Sequence, residues 1–394
     1  MRRYFLITML IGTLLIPVIS FPQVQTGSFE FQGRTRVYFV FLPQNYDGVT
    51  KMPVVFNLHG YTLDAQQQMN YSRMNMVADT AGFIVVYPNA VNPGWNCGIA
   101  GSPNVHDVGF FDALIDTLSC HYCIDIERIY SCGFSLGGFM SFRLACQLSE
   151  RISAVASVAG VIAQTIANGP KANHAMPVLL VHGTADEIVP YNGAYDWCSV
   201  EQTSAYWTIF NLCTESDTTL LPELDTLDGC SVEKIAHTRY SDSISVVLYK
   251  AIDGGHSWPG GDTAYLHLSW GNIGKTNGDI NASAEIWNFV KTYRLPVTTV
   301  RTYSQSPNEF SLFQNYPNPF NPTTVIRYQL PVASNVRLVV YDILGREVAV
   351  LVNEKKAPGN YQVTFDGSNL ASGVFFYRFQ AGDFVATKRL LLLK

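Results

Sequence analysis

The chain has 394 residues, of which 47% are hydrophobic and 14% charged, so it can bury a large core and is not a disordered chain. Its formal net charge of −5, with no cluster of Lys or Arg, argues against nucleic acid or an anionic membrane as a partner. The sequence has neither a phosphate-binding Gly-x-x-x-x-Gly-Lys loop nor a His-Glu-x-x-His zinc helix, and we expect no cofactor and no metal.

The first twenty residues have the pattern of an export signal. Arg2 and Arg3 precede the apolar stretch "YFLITMLIGTLLIPV", and Val18 and Ser20 lie near the expected cleavage point. A single anchoring helix is the alternative, but Pro17 and the shortness of the apolar run disfavour it. We therefore predict a signal peptide at 1–20 and a secreted protein, extracellular or at the cell surface, with no membrane span in the mature chain.

The eight cysteines are an even number in a chain that we expect to meet an oxidising environment. Cys213 and Cys230 flank the polar, acidic loop "TESDTTLLPELDTLDG" and are the best candidates for a disulfide. The pair Cys120 and Cys123 in "CHYC" could bind a metal or act in redox chemistry. Because no second such pair lies nearby, we expect a structural role for them.

Residues 21–295 alternate between strand-like and helix-like runs. The strand-like runs are rich in β-branched and aromatic residues and end in Gly, Pro or Asn: "TRVYFVFLP", "MPVVFNLHG", "FIVVYPNA", "RIYSCGFS", "SAVASVAG", "PVLLVHG" and "SVVLYKAIDGG". Helical spacing is found in "DVGFFDALIDTL", which Asp107 should cap, and in "AYDWCSVEQTSAYWTIFN". This alternation predicts an α/β domain with a mainly parallel sheet covered on both faces.

The pattern changes after this region. Residues 296–309, "PVTTVRTYSQSPNE", are predicted to be a linker. Residues 310–394 contain only alternating strands and turns, such as "VRLVVYDILGREVAVLV" and "GVFFYRFQAGDFVATKRLLLLK", which suit a small antiparallel sandwich. The sequence therefore predicts a second, all-β domain.

One serine stands between glycines where a strand turns into a helix. Gly133 to Gly137, "GFSLG", fits the Gly-x-Ser-x-Gly nucleophile elbow, in which the glycines allow a sharp turn that exposes the serine at the end of the sheet. An ordinary glycine-rich corner is the alternative, but the position between a strand and an apolar helix favours the elbow. We predict Ser135 to be a catalytic nucleophile.

A serine hydroxyl needs a base and an orienting carboxylate, which follow in this fold in the order Ser, Asp or Glu, His. Asp186 follows the strand "PVLLVHG", and His256 follows "VVLYKAIDGG", so both are expected at the same edge of the sheet. His182 is an alternative base, but it precedes Asp186 and suits loop packing better. Asp253 and, less well, Glu187 compete as the orienting acid.

Main-chain donors and two tryptophans complete the predicted site. "VVFNLHGYT" ends a strand where this fold supplies one oxyanion donor, the N–H of Tyr61, and the N–H of Leu136 would be the second. We expect His59 to shape this loop. Trp95 and Trp258 are candidates to line the substrate cleft, although either could instead fill a loop.

Residues 26–295 resemble the secreted esterase family that includes polyhydroxybutyrate depolymerase-like and feruloyl esterases, within the α/β-hydrolase superfamily. The resemblance is carried by "LPQNYDG", "MPVVFNLHGYT", "PGWNCG", "VHDVGFFDALIDTL", "YCIDIERIYSCGFSLGGFMSFRLACQL", "PVLLVHGTADEIVPY" and "DGGHSWPGG". It implies that Ser135, Asp186 and His256 occupy the triad positions, and Tyr61 and Leu136 the oxyanion positions. Relatives often carry Asn or Ala at the position of Leu136 and Cys at that of Tyr61, which leaves the acyl pocket less well defined.

The tail resembles the C-terminal sorting domain of type IX secretion. The stretches that carry this resemblance are "FSLFQNYPNPFNPTTVIRYQLP", "VYDILGREVAVLV", "PGNYQVTFDGSNLASGVFFYRF" and "TKRLLLLK". It implies passage across the outer membrane with the type IX machinery as a partner. A carbohydrate- or polymer-binding module is the alternative, but the tail has no Trp and its aromatic residues alternate like those of a core.

The sequence thus predicts a secreted serine ester hydrolase that acts through an acyl-enzyme. Without a polymer-binding domain, it favours plant cell-wall esters, feruloyl or acetyl, over polyhydroxybutyrate or another polyester. A non-catalytic surface protein on a hydrolase scaffold is the competing class, and the presence of all three triad residue types argues against it.

Overall fold

The structure is a computed structural model that describes residues 23–91, 94–266, 273–296, 310–315 and 318–393. The chain divides into two compact units, Met1–Pro296 and Val297–Lys394. The predicted signal peptide at 1–20 and nearly all of the predicted linker lie outside the described residues. In the described ranges, no helix has both the length and the apolar character needed to cross a bilayer.

The first unit is built on one ten-stranded sheet with the order β1-β2-β4-β3-β5-β6-β7-β10-β9-β8. Its strands are β1 Val24–Phe31, β2 Arg34–Phe41, β3 Met52–Leu58, β4 Ile84–Pro88, β5 Ile124–Phe134, β6 Ala154–Val158, β7 Val178–Gly183, β8 Glu215–Leu220, β9 Ser231–Thr238 and β10 Ser245–Ile252. Six neighbouring strands are parallel to one another, namely β4, β3, β5, β6, β7 and β10. The strands β1 and β2 at one edge, and β9 and β8 at the other, are added in antiparallel pairs. This confirms the predicted α/β domain with its mainly parallel sheet.

Helices cover both faces of this sheet. They are α1 Ala65–Ser72, α2 Met74–Ala81, α3 Asp107–His121, α4 Leu136–Gln147, α5 Gln164–Ala167, α6 Val200–Phe210 and α7 Ala282–Val290. Successive side chains of a strand point to opposite faces, so the fully buried β3 serves two cores. Val54 and Phe56 pack with α3, α4 and α6, whereas Val55 packs with α1, α2 and α7. Burial on both faces explains why the central strands are continuous apolar runs.

Two helix starts differ from the sequence expectation. Helical spacing suggested a helix from residue 194, but α6 begins at Val200 because Ser199 forms a capping box with Gln202. Asp107 does not cap α3: His106 is the N-cap residue, and Asp107 lies inside the first turn with its side chain buried. Its carboxylate forms a buried ion pair with Arg36.

The predicted disulfide between Cys213 and Cys230 is wrong, because both thiols are free in this structure. Cys213 precedes β8, and Cys230 lies between β8 and β9, which pair antiparallel from Glu215 opposite Thr238 to Leu220 opposite Glu233. Cys213 therefore lies at one end of this strand pair and Cys230 at the other, on the order of 20 Å apart at about 3.4 Å per residue. A disulfide needs Cα atoms within about 7 Å of each other.

The second unit is an all-β sandwich, as predicted. One sheet has the order β11-β12-β15 and the other β14-β13-β16-β17, and all the pairings are antiparallel. The strands are β11 Ser311–Leu312, β12 Thr323–Leu330, β13 Ser334–Tyr341, β14 Glu347–Lys356, β15 Gly359–Asp366, β16 Gly373–Ala381 and β17 Phe384–Leu392. Inward-facing residues of the two sheets, such as Tyr328 and Phe379, form a single core between them.

Candidate active site

Ser135 occupies a strained turn between β5 and α4. Its backbone has φ 53° and ψ −119°, a region that a non-glycine residue rarely adopts. Its N–H donates to the Val158 carbonyl at 2.8 Å, and its own carbonyl accepts from the N–H of Gly138 at 2.8 Å. These bonds to the neighbouring strand and to the helix hold the strained residue in place, and its side chain lies at the end of the sheet where α4 begins.

The glycines of the elbow are required by close approach to β3. A Cβ on Gly133 would lie 2.8 Å from the Leu58 carbonyl oxygen, and one on Gly137 would meet the carbonyl groups of both Leu58 and His59. Backbone atoms cannot move aside as the end of a side chain can, so any side chain here would push α4 off the sheet. The same contact brings the start of α4 against the end of β3, where the predicted oxyanion loop begins.

Asp186 and His256 meet at this edge of the sheet. His256 Nδ1 donates to Asp186 Oδ2 at 2.7 Å, and both side chains are fully buried. The parallel strands β5, β7 and β10 end at this edge, and the ring centroid of His256 lies 4.9 Å from that of Phe134, the residue before Ser135. With its Nδ1 proton held by a carboxylate, the imidazole has its Nε2 lone pair for taking a proton from an alcohol.

The carboxylate of Asp186 is held in its ionised form. Its Oδ1 accepts from the N–H groups of Ile188 and Val189 at 2.9 and 2.8 Å. Burial by itself would raise the pKa of Asp186, but hydrogen bonds from His182 and His256 outweigh burial and keep that pKa well below its ordinary value. A buried anion is therefore ready to stabilise the positive charge that an imidazole gains when it accepts a proton.

The competing acids do not take this place. Asp253 and Glu187 are both exposed, and the N–H of Asp253 donates to the Thr184 hydroxyl. His182 is not aligned as a base either, because its Nε2 lies 2.8 Å from the Val189 carbonyl and 3.3 Å from Asp186 Oδ2. Of the alternatives left open by the sequence, the geometry favours the pair Asp186 and His256.

The loop predicted to supply an oxyanion donor follows the end of β3. His59 is buried, its Nδ1 donates to the Gly60 carbonyl at 2.8 Å, and its Nε2 accepts from the Ala90 N–H at 3.0 Å. Burial lowers the pKa of His59 to about 4, so the ring is neutral at ordinary pH. Because a trans peptide is planar, fixing the Gly60 carbonyl also turns the N–H of Tyr61 to the opposite side.

The side chains of Tyr61 and Leu136 meet over Gly94. A Cβ on Gly94 would lie 3.4 Å from Tyr61 Cδ2 and 2.5 Å from Leu136 Cδ2. The Tyr61 side chain is 49% exposed, whereas Leu136 is buried. The two predicted oxyanion residues are therefore neighbours in space, and Leu136 N–H, at the start of α4, has no partner within its own helix.

The two tryptophans predicted to line the cleft do not do so in this structure. Trp95 is fully buried, and its Nε1 donates to the His59 carbonyl at 3.0 Å. Trp258 is also fully buried, and its Nε1 donates to Ser283 Oγ at 3.2 Å. Neither ring has an exposed face on which a substrate could stack, so each supports the loop next to a site residue instead.

A buried ion pair lies next to the predicted oxyanion loop and was not predicted from the sequence. Arg36 Nη2 donates to Asp107 Oδ1 at 2.8 Å, and Asp107 Oδ2 accepts from the Asn96 N–H at 2.8 Å. The Arg36 guanidinium also stacks 3.7 Å from the ring centroid of Phe110. This network fixes the segment that contains Gly94 and Trp95, and its sequence signal was an arginine, Arg36, directly before the apolar run "VYFVF" of β2. Within the described residues, no group of three or more His, Cys, Asp or Glu side chains could hold a metal ion.

Comparisons with known proteins divide the chain in the same way as its two units. Residues 36–205 match the family described as Esterase PHB depolymerase, and residues 314–393 match the secretion system C-terminal sorting domain. The first match contains Ser135 and Asp186, and His256 lies beyond it.

Curated relatives resemble the first unit. Feruloyl esterase D of Neurospora crassa is 31% identical over 176 residues, which are 42% of this chain and 58% of the relative. A bifunctional acetylxylan esterase/xylanase of Neocallimastix patriciarum is 31% identical over 160 residues, 41% of this chain and 23% of the relative. The chain thus spans less than two thirds of the length of each. Among solved structures, acetyl xylan esterase from Aspergillus awamori aligns with a TM-score of 0.43 at 15% identity, over 60% of this chain and 94% of that chain.

Proposed function

Because the chain carries a domain of the Esterase PHB depolymerase family and a C-terminal sorting domain, we propose that it is an exported serine carboxylic-ester hydrolase. Ser135 attacks the ester carbonyl, His256 takes its proton and returns it to the leaving alcohol, and Asp186 orients and stabilises the imidazole. The N–H groups of Tyr61 and Leu136 stabilise the oxyanion. The acyl-enzyme is then hydrolysed by water, which His256 activates in the same way.

The observation that carries this proposal is the buried Asp186–His256 hydrogen bond of 2.7 Å at the edge of the sheet where β5 ends in a strained serine. A scaffold without activity has no need of a strained serine at positive φ, nor of a buried carboxylate that orients an imidazole at the same edge of the sheet. Their occurrence together supports catalysis over a non-catalytic surface protein.

For the substrate we propose an ester of plant cell-wall polysaccharide, feruloyl or acetyl. The two curated relatives named above are a feruloyl esterase and an acetylxylan esterase, which supports this choice. With both tryptophans buried, Tyr61 is the aromatic side chain at the oxyanion loop that has an exposed surface for an acyl group. Polyhydroxybutyrate is the second candidate substrate, because the family matched by residues 36–205 is described by that activity.

The sorting domain indicates that the protein is extracellular or attached to the cell surface. We propose that residues 310–394 address the chain to the type IX secretion machinery. Export agrees with the proposed substrates, since cell-wall polysaccharides and polyester granules released from cells are too large to be taken up before cleavage.

Hydrolysis of p-nitrophenyl acetate by the wild type and by Ser135→Ala and Asp186→Asn tests the reaction. We expect turnover to fall by on the order of 10³-fold or more in both variants, because each removes one member of the triad. Equal rates in the wild type and Ser135→Ala would contradict the proposal. Methyl ferulate, acetylated xylan and polyhydroxybutyrate, assayed side by side, then rank the substrates; activity on polyhydroxybutyrate alone would overturn the cell-wall assignment.

A further inference from the structure

A second histidine shares the carboxylate of the proposed triad. His182 Nε2 lies 3.3 Å from Asp186 Oδ2, the same oxygen that accepts from His256 Nδ1 at 2.7 Å. All three side chains are fully buried. A carboxylate oxygen has two lone pairs, and here two imidazoles approach one oxygen.

The position of the proton on His182 follows from its other contact. Nε2 lies 2.8 Å from the carbonyl oxygen of Val189, which can only accept, so Nε2 carries a proton. Nδ1 is buried and has no hydrogen-bond partner among the described residues. A proton on Nδ1 would be left without an acceptor, which is unfavourable by about 1–3 kcal/mol, so the proton is on Nε2 alone. That N–H donates to the Val189 carbonyl, and Nε2 also lies 3.3 Å from Asp186 Oδ2.

We propose that His182 is a positioning residue that fixes Asp186 and limits how strongly its carboxylate attracts the proton on His256. This rests on the proposed function and adds to it a fourth residue that touches neither the substrate nor the reacting atoms. His182 ties together both ends of the turn that presents Asp186, because the turn begins after His182 at the end of β7 and Val189 is at its other end.

The physical effect comes from the number of donors on one anion. Each donor spreads the negative charge of Asp186, and so weakens its attraction for a positively charged His256. With His182 in place, the imidazolium formed during attack is stabilised but still gives up its proton readily to the leaving alcohol. Without His182, Asp186 Oδ2 would attract the imidazolium of His256 more strongly, and the proton would pass less readily to the leaving alcohol.

Other charged or titratable groups that face His182 do not replace it. Tyr191 packs edge-on at 6.1 Å between ring centroids, and Lys250 lies opposite His182 in the register of β10 and β7. The Lys250 ammonium is 3.5 Å from Glu233 and 5.8 Å from the centre of the Tyr191 ring, so its charge is paired away from the carboxylate. The close contact of His182 Nε2 with Asp186 Oδ2 is therefore the interaction to remove.

Nuclear magnetic resonance of the wild type labelled with ¹⁵N-histidine tests the geometry without any assay of activity. We expect opposite tautomers for the two rings, with the proton on Nε2 in His182 and on Nδ1 in His256. His182→Gln and His256→Gln, each of which loses one set of signals, assign the resonances. A proton on Nδ1 of His182 would overturn the inference. Because this readout needs no substrate, it stands apart from failure of the proposed esterase function.

The pH dependence of kcat/KM on p-nitrophenyl acetate tests the consequence. In His182→Leu we expect the acidic limb to move to higher pH by ~0.5–1 unit, because one donor to the carboxylate is lost. His182→Gln, whose amide nitrogen can reach the position of Nε2, should keep the wild-type limb. His174→Leu is the matched control, since that ring also bonds to backbone carbonyls but lies away from Asp186. A lower rate in His182→Leu with an unchanged limb would mean that His182 only supports the fold, and would overturn the proposal.

Discussion

Acid should weaken the first unit through His59, because this ring is buried in its neutral form. Its pKa is about 4 in the folded chain against an ordinary value of 6.5, so unfolding lets it take up a proton. The stability that this provides is complete above about pH 6.5 and is lost as the pH falls toward 4. At about 1.4 kcal/mol per pH unit the whole difference is about 3.4 kcal/mol, of which about 2 kcal/mol is lost by about pH 5.

The variant His59→Asn isolates this contribution. Asparagine cannot titrate, and its amide nitrogen can occupy the place of Nδ1 near the Gly60 carbonyl. All six tryptophans precede residue 297, so urea unfolding followed by tryptophan fluorescence reports on the first unit alone. When the pH is lowered from about 8 to about 5, we expect the wild type to lose about 2 kcal/mol more of its free energy of unfolding than the variant loses. A constant difference between the two proteins over this range would refute the reasoning.

Three further predictions concern the elbow, the acyl pocket and the cysteines. Gly137→Ala should lower the free energy of unfolding by about 1–3 kcal/mol and abolish esterase activity, because its Cβ meets the Leu58 carbonyl. Tyr61→Ala should lower kcat/KM for methyl ferulate by about 3–10-fold and leave p-nitrophenyl acetate within about 2-fold, since an aromatic contact contributes about 0.5–1.5 kcal/mol. Cys213 and Cys230 should both react with a maleimide in urea without a reductant, as mass spectrometry of their peptides can show.

Each of these three has a control and a contrary outcome. The control for Gly137→Ala is Gly373→Ala, whose Cβ would have its nearest contact at 3.9 Å. This control should leave the unfolding temperature measured by calorimetry unchanged. An equal loss of stability in both glycine variants would contradict the argument from close approach. Tyr61→Phe should keep both activities, and an equal loss on both esters in Tyr61→Ala would mean that only the loop had been disturbed. If Cys213 or Cys230 reacted with the maleimide only after reduction, a disulfide between them would again be the better interpretation.

The elbow was predictable from the sequence because its requirements are local. A serine on a turn this sharp needs glycine on both sides, and the backbone of β3 leaves no room for a Cβ at Gly133 or Gly137. Asp186 and His256 were predictable for a different reason, since parallel strands of one sheet end at the same edge and any residue after them is brought there. Chain order then left few candidates.

The remaining features depend on contacts that no local pattern reveals. Trp95 and Trp258 lie in Gly- and Pro-rich loops. The sequence of such a loop does not distinguish a ring that faces solvent from one that fills the loop, and both rings are buried. Asp107 has the sequence context of a helix cap, but its partner is Arg36, 71 positions away along the chain. Cys213 and Cys230 are separated by the length of the β8–β9 strand pair. Because β8 is exposed and polar, it lacks the apolar alternation from which a strand is predicted.

Trapping the acyl-enzyme tests most directly whether Ser135 is made nucleophilic by His256 and Asp186. The wild type, Ser135→Ala and Asp186→Asn would be mixed with p-nitrophenyl acetate, quenched with acid within the first turnover and digested for peptide mass mapping. We predict one acetyl group on Ser135 in the wild type, formed as fast as p-nitrophenol is released, none in Ser135→Ala and a much slower appearance in Asp186→Asn. An acetyl group on another residue, or a burst of p-nitrophenol that persists in Ser135→Ala, would contradict the account.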